Sequence, residues 1–192
     1  MLMRDFYQRT TEVVARELLG KLLVRTHVEG DVVVRLTEVE AYLGVGDPAC
    51  HTFGGRRTTR TETMWGEAGH VYVYLVYGLH SCLNVVTVGA GQPEAVLIRS
   101  GVVEEGLDLV RARRGSRVGE RSLTDGPGKL CRALAISRAD DGTDLCALEA
   151  PIRICDDGVE VPEGRVRHLP RVGIDYAGEA ADWPLRFRVE PD

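Results

Sequence analysis

Two stretches alternate in character with a period of two, and the rest of the chain is arranged around them. Leu-Thr-Glu-Val-Glu-Ala-Tyr at 36–42 reads as a strand, with Glu38, Glu40 and Tyr42 on one face and Thr37, Val39 and Ala41 on the other. Val-Tyr-Val-Tyr-Leu-Val-Tyr-Gly at 71–78 is β-branched and aromatic, the signature of a second strand. It sets Tyr72 and Tyr74 on one face and Val71, Val73 and Leu75 on the other. Gly78 offers a turn, which leaves Tyr77 near a hairpin tip. Carboxylates on one strand and tyrosines on a hairpin can stack on a ring and activate water beside it.

The flanking patterns predict the remaining elements. Thr10 or Thr11 can cap a helix that runs to about Leu19 and stops at Gly20, with Val13, Val14, Leu18 and Leu19 as its buried side. Lys21–Thr26 reads as a strand, Glu29-Gly30-Asp31 as a turn and Val32–Tyr42 as the returning strand. Residues 43–70 form a long Gly-, Thr- and Arg-rich loop with one short helix near Thr61–Trp65, and a loop of that length is usually functional or disordered. Strands follow at about 71–77, 80–88 and Ala95–Val103, then helices at Gly106–Arg114 and Pro127–Leu134. Residues 137–170 are irregular and acidic apart from a strand at Ile152–Cys155, and Arg171–Ile174 and Leu185–Val189 read as closing strands. The fold class is α+β: one domain over residues 1–192 with a curved, mainly antiparallel, open-barrel-like sheet, flanking helices and a protruding β-hairpin.

Composition changes this picture little, but charge adds to it. The chain is 44% hydrophobic and 28% charged, ordinary for a soluble globular protein. No apolar run is long enough to span a membrane, and residues 1–20 hold no apolar signal-peptide core. Five cysteines without a Cys-x-x-Cys pair fit reduced thiols in a cytoplasm and give no zinc signature. The net charge of −5 argues against a nucleic-acid partner, but its distribution does not. Arg56, Arg57 and Arg60 lie in an acid-free stretch, five arginines lie in 111–121, and the acids gather in 140–163. A solvated surface is the ordinary account of such clusters, yet the asymmetry allows a basic face on an acidic protein.

At this point the residues carry a resemblance. Thr-Glu-Val-Glu-Ala-Tyr-Leu-Gly, then Asp47 to His51, Gly54-Gly55-Arg56 and Val-Tyr-Val-Tyr-Leu-Val-Tyr-Gly through Leu83-Asn84, is similar to the alkyladenine (3-methyladenine) DNA glycosylases, as in a bacterial member. Gly126-Pro127-Gly128-Lys129-Leu130-Cys131, Arg171-Val172-Gly173, Ala177-Gly178-Glu179 and Pro184-Leu185-Arg186-Phe187 follow in the same order, so the likeness runs from Phe6 to Phe187. It implies a base-excision-repair enzyme that flips alkylated or deaminated purines out of double-stranded DNA and removes them by hydrolysis. The implied enzyme uses neither metal nor cofactor, acts as a monomer and works in the cytoplasm at the nucleoid.

The resemblance also assigns roles. Glu40 matches the general base that deprotonates the water attacking C1′ of the deoxyribose, with Arg99 and the main-chain carbonyl of Val172 helping to hold that water. Glu38, about 7 Å along the strand, reads as support. Tyr42, His51 and Tyr74 match the base pocket, where aromatic faces add cation–π attraction to stacking on cationic bases. Asn84 matches the position that crowds the 2-amino group of normal guanine. Tyr77 resembles the wedge that fills the gap a flipped nucleotide leaves. Without the likeness, Tyr77 would read as a sheet tyrosine and His51 as a surface histidine. Arg56, Arg57, Arg60 and Lys129 are candidates for the DNA backbone. No lysine lies between Lys21 and Lys129, so the site offers no amine for Schiff-base chemistry and a monofunctional, water-using enzyme is the consistent reading. The alternatives are a damage-binding protein that does not cleave, and a carbohydrate glycoside hydrolase, whose inverting type uses two carboxylates at comparable spacing.

If the Arg56–Arg60 cluster meets phosphates, DNA affinity falls steeply with salt, and changing Arg56, Arg57 and Arg60 to Ala flattens that slope. A salt titration by fluorescence anisotropy measures it. An unchanged slope moves the DNA face to the arginines of 111–121.

Overall fold

A computed structural model describes residues 1–190 of the chain. Four short α-helices, α1 (Arg4–Tyr7), α2 (Thr11–Leu18), α3 (Leu107–Arg114) and α4 (Pro127–Ala133), pack around a curled antiparallel sheet. Its strands are β1 (Leu22–Arg25), β2 (Val32–Tyr42), β3 (Val71–Val76), β4 (His80–Gly89), β5 (Gln92–Glu105), β6 (Ile152–Cys155), β7 (Val166–Leu169) and β8 (Arg186–Val189). The order is β3-β4-β5-β2-β1-β6, with β8 pairing β2 and β7. The α+β architecture read from the sequence is the one observed.

Strand β2 is the axis of the sheet. One edge pairs with β5 along most of its length; the other pairs with β1 over Val32–Arg35 and then with β8 over Glu38–Glu40. Register shifts between Leu36 and Val39 mark where β2 changes partner, and such irregularities bend a strand and sharpen its twist. The inward side chains of Val34, Leu36, Val39 and Ala41 join Val71, Val73, Leu83, Val85, Val96 and Ile98 in the main core, beneath α2 and α4. The opposite face carries a smaller cluster of Cys50, Met64, Tyr72, Val86 and Ala95, with Tyr42 and Tyr74 against it.

Several local expectations are corrected. Val13 is exposed; Thr11, Val14, Ala15 and Leu18 form the inner face of α2, as a 3.6-residue period demands. Thr10 occupies the cap position without a side-chain bond, and the Thr11 hydroxyl reaches Thr87 Oγ1 at 2.7 Å and the Glu94 carboxylate instead. Gly20 ends the element as expected, at φ +84°, where an L side chain is strained. Arg171–Ile174 is not a strand: Gly173 turns the chain at φ +76°, and the strand that pairs with β8 besides β2 is Val166–Leu169. The 43–70 loop holds three single-turn helices, at Gly44–Gly46, Phe53–Gly55 and Glu62–Trp65, where one was expected.

The charge asymmetry has a structural use. Acids of the C-terminal half pair with bases of the N-terminal half: Asp140 with Arg25, Asp144 with Arg4, Asp156 with Lys21, Asp157 with Arg35 and Glu163 with Arg16. No helix among the described residues is long and apolar enough to cross a membrane.

One pair is different in kind. The side chains of Arg171 and Asp47 are both fully buried. Arg171 Nη2 donates to Asp47 Oδ1 at 2.8 Å, and Nη1 donates to Asp47 Oδ2 and to the Ala41 carbonyl. Asp47 also accepts the N–H groups of Leu43 and Ala49 at 3.0 Å. The pair clamps the loop after β2 and the segment after β7 onto the end of β2. Removing one partner leaves an uncompensated buried charge, so Asp47→Ala is expected to cost about 3–5 kcal/mol in urea unfolding. A loss under 1 kcal/mol would contradict the clamp.

Candidate active site

The strand register gathers the site. Tyr72 on β3 lies opposite Asn84 on β4, Asn84 opposite Leu97 on β5, and Leu97 opposite Glu40 on β2. Directly opposed residues share a face, so one row crosses four strands on the side away from the main core. Over this row opens a cavity of about 500 Å³, lined among others by Tyr42, His51, Tyr72, Tyr74, Asn84, Arg99 and Val172. That size and mixture of aromatic and polar walls suit a small-molecule-sized guest.

Glu40 lies beneath the cavity wall and exposes no surface. Three donors surround its carboxylate: the Val172 N–H at 2.8 Å from Oε1, Arg99 Nη1 at 3.2 Å from Oε1, and the Tyr42 hydroxyl at 2.9 Å from Oε2. Burial raises the Glu40 pKa above the usual carboxylate range, and it outweighs the opposing pull of Arg99 and of the two hydrogen bonds. Val172, whose carbonyl was expected to help hold the water, meets the Glu40 carboxylate through its N–H. Glu38 binds Arg99 Nε and Arg186 Nη1, each at 3.0 Å. It therefore holds Arg99 from behind while Arg99 reaches Glu40.

The aromatic residues form a connected wall. The Tyr72 and Tyr74 ring centroids are 5.5 Å apart, and His51 meets Tyr74 edge-on at 4.5 Å. His51 Nδ1 lies 2.9 Å from the Tyr72 hydroxyl. Burial, with Arg60 and Arg56 nearby, lowers the His51 pKa to about 4, so its ring is neutral at pH 7. The Arg171 guanidinium covers the Tyr42 ring at 4.7 Å, which ties the cavity wall to the buried clamp. Asn84 is buried, with its amide donating to the Tyr72 carbonyl at 3.1 Å.

At the cavity mouth the β3–β4 hairpin protrudes. Tyr77 is 90% exposed and sits at φ +52°, followed by Gly78 at φ +69°. A left-handed tyrosine costs on the order of 1–3 kcal/mol and tends to persist at functional sites. Leu79 beside it is also exposed. Gly128 of α4 rests against His80, where an added Cβ would come within 3.1 Å of His80 Cβ, so α4 braces the hairpin base. Lys129, on the same helix, pairs with Asp125 at 2.7 Å.

The arginine candidates separate. Arg57 is tied to Glu62 and lies over the Trp65 ring at 5.3 Å. Arg56 and Arg60 line a second cavity of about 300 Å³ that adjoins the first. In 111–121, Arg111 pairs with Glu120, Arg113 binds the Ala133 carbonyl and Arg114 binds the Leu123 carbonyl. Arg113 and Arg114 are thus committed to main-chain carbonyls, whereas Arg111, like Arg57, is held by an exposed carboxylate. Among the described residues no cluster of three His, Cys, Asp or Glu could hold a metal.

Sequence reasoning gave no role to Asp47, Arg171 or Tyr176. The first two fall inside motifs that were quoted, but only the fold shows them paired. Tyr176 lines both cavities, and its hydroxyl is 3.4 Å from the Ala49 carbonyl.

Comparison with known proteins agrees with this geometry. Residues 5–192 match the model of the methylpurine-DNA glycosylase family. A protein of Methanocella arvoryzae is 46% identical over 97% of this chain and 91% of its own length. One of Desulfitobacterium hafniense is 45% identical over 97% and 94%, and one of Streptomyces avermitilis 44% over 100% and 88%. All three are provisionally named 3-methyladenine DNA glycosylases. The chain belongs to the methylpurine-DNA glycosylase family, a class of hydrolases that cleave N-glycosidic bonds.

The raised pKa of Glu40 has a consequence for stability. A group whose folded pKa exceeds its unfolded value, about 4.3 for Glu, favours folding below the unfolded value. That contribution is lost as pH rises through the folded pKa. Above its folded pKa the wild type therefore carries the strain of an ionised, desolvated carboxylate, and Glu40→Gln does not. The variant is expected to melt at or above the wild-type temperature at pH 7, with the gap shrinking toward pH 4. Calorimetry at both pH values measures it; a variant less stable at pH 7 than at pH 4, relative to wild type, contradicts the sign.

Proposed function

We propose that the protein flips 3-methyladenine, 7-methylguanine and hypoxanthine out of duplex DNA and hydrolyses their N-glycosidic bonds with a water activated by Glu40. The observation that carries this is a desolvated carboxylate, held by three donors, against an aromatic cavity beside a protruding tyrosine hairpin. The target bond is inaccessible inside the stack, so the nucleotide rotates into the cavity. The base stacks against Tyr42, His51 and Tyr74, while Tyr77 fills the gap left in the duplex. Asn84 narrows the cavity against the 2-amino group of normal guanine.

Glu40 accepts a proton from the water as its oxygen bonds to C1′. The C1′–N bond breaks with its electron pair going to the base, so a cationic 3-methyladenine leaves neutral and the sugar keeps a hydroxyl. General-base help of this kind is worth roughly 10²–10⁴-fold. Arg99 and the Val172 N–H orient Glu40. The Tyr42 hydroxyl covers the remaining oxygen, and contacts of this sort realign when substrate binds. A neutral His51 adds no repulsion toward a cationic base.

Two observations bear on the alternatives. Lys21 pairs with Asp156 and Lys129 with Asp125, and neither lines the cavity, which supports a water-using rather than an amine-using enzyme. Glu38 is bonded to two arginines, which makes it a poor second acid for a carbohydrate hydrolase. Working on the chromosome as a cytoplasmic, nucleoid-associated monomer completes the proposal.

Alkali-induced nicking of a 3-methyladenine or hypoxanthine duplex after incubation tests the reaction; lesion binding without nicking would identify a non-cleaving binder. The hairpin has its own test. Tyr77→Ala is expected to lower extrusion by about 1–3 kcal/mol of lost stacking, so excision of hypoxanthine from a matched duplex drops strongly, but from a mismatched one less. Tyr74→Ala hurts both equally. If Tyr77→Ala loses the same factor on both duplexes in single-turnover assays, Tyr77 belongs to the pocket.

A further inference from the structure

Arg60 occupies a position that backbone contact alone does not explain. Its guanidinium lies over the ring of Tyr74, 5.3 Å from the centroid, and its Nη2 is 3.5 Å from His51 Nε2. Tyr74 and His51 are both walls of the large cavity, and Arg60 lines that cavity as well as the smaller one beside it. The guanidinium is a planar, weakly hydrated cation. It therefore satisfies Tyr74 in the same way as the guest proposed above, a planar and often cationic purine. Its described contacts there are the ring, the long His51 contact and a hydrogen bond with the Tyr72 hydroxyl, and none of them is a carboxylate. The adjoining cavity is lined by Arg56, a second cation that can meet an anion there, together with Phe53, Thr58 and Thr61.

We propose that Arg60 is an entry-determining residue that stands in for the base on Tyr74 until DNA binds, then moves into the adjoining cavity to meet a phosphate. This rests on the glycosylase reading of the same site. The base and the guanidinium compete for the Tyr74 face and for the His51 edge, so a base alone must displace Arg60. A nucleotide within DNA brings the phosphate that draws it away. The duplex is thereby favoured over free bases, including the product, and the device couples backbone engagement to opening of the pocket.

The prediction has opposite signs for two ligands. Arg60→Ala is expected to bind free 3-methyladenine about two- to fivefold more tightly than wild type, the equivalent of an exposed cation–π contact. It is expected to bind a lesion-containing duplex more weakly, with a salt slope shallower by about 0.9. Arg60→Lys keeps the charge without the planar stack, so it should retain the duplex salt slope while its base affinity moves toward that of Arg60→Ala. Calorimetric titration with free 3-methyladenine and anisotropy with the duplex read both effects, and wild-type excision of 3-methyladenine DNA serves as the control. If wild type excises the base and Arg60→Ala binds free base equally or more weakly, Arg60 is a plain surface residue or a cooperating wall, and the stand-in role is overturned. If wild type neither excises nor binds the base, the glycosylase reading fails and this inference falls with it.

Discussion

The buried pair between Arg171 and Asp47 holds the site together. β2 ends at Tyr42, and the loop that follows would otherwise leave with His51 toward solvent. Asp47 gathers that loop by accepting two of its N–H groups, and Arg171 binds Asp47 and the Ala41 carbonyl at once. The next residue after Arg171 is Val172, whose N–H fixes Glu40. The same guanidinium covers the Tyr42 ring. One desolvated ion pair thus sets the floor, one aromatic wall and one carboxylate donor. Such pairs contribute little net stability compared with an apolar replacement, but breaking one is costly. Here the return is geometric: two segments 124 residues apart in the chain are registered to each other.

Glu40 shows the complementary arrangement. A carboxylate with no exposed surface is unfavourable when ionised, and burial raises its pKa despite Arg99, Val172 and Tyr42. That cost is useful to a base, because a desolvated carboxylate with a raised pKa takes up a proton more readily than a hydrated one. Arg99 keeps the charge tolerable, and Glu38, gripped between Arg99 and Arg186, keeps Arg99 in place. The site is therefore a poised compromise, in which stability is given up where reactivity is required.

How far the sequence could be read depended on the range of the interaction involved. The alternation in 36–42 and 71–76 was legible because it is local, and it placed Glu40, Tyr42, Tyr72 and Tyr74 on the faces they occupy. The hairpin at Tyr77 and Gly78 was legible for the same reason. The cross-strand row from Tyr72 to Glu40 was not, since it depends on registers among four strands. Arg171 was misread as the start of a strand, because its pattern resembles one and its true partner lies across the fold. Val13 was placed on the buried side of its helix, where the 3.6-residue period excludes it. The exposed arginines looked alike in sequence; only the fold separates Arg57, tied to Glu62, from Arg60 at the mouth.

The central claim is that Glu40 supplies the chemistry while the surrounding residues supply recognition. Its most direct test is Glu40→Gln on a 3-methyladenine duplex, with binding measured by anisotropy and excision by single-turnover kinetics. The account predicts lesion affinity within about twofold of wild type and an excision rate lower by roughly 10²–10⁴-fold. Excision at a near-wild-type rate by a folded Glu40→Gln protein would contradict it.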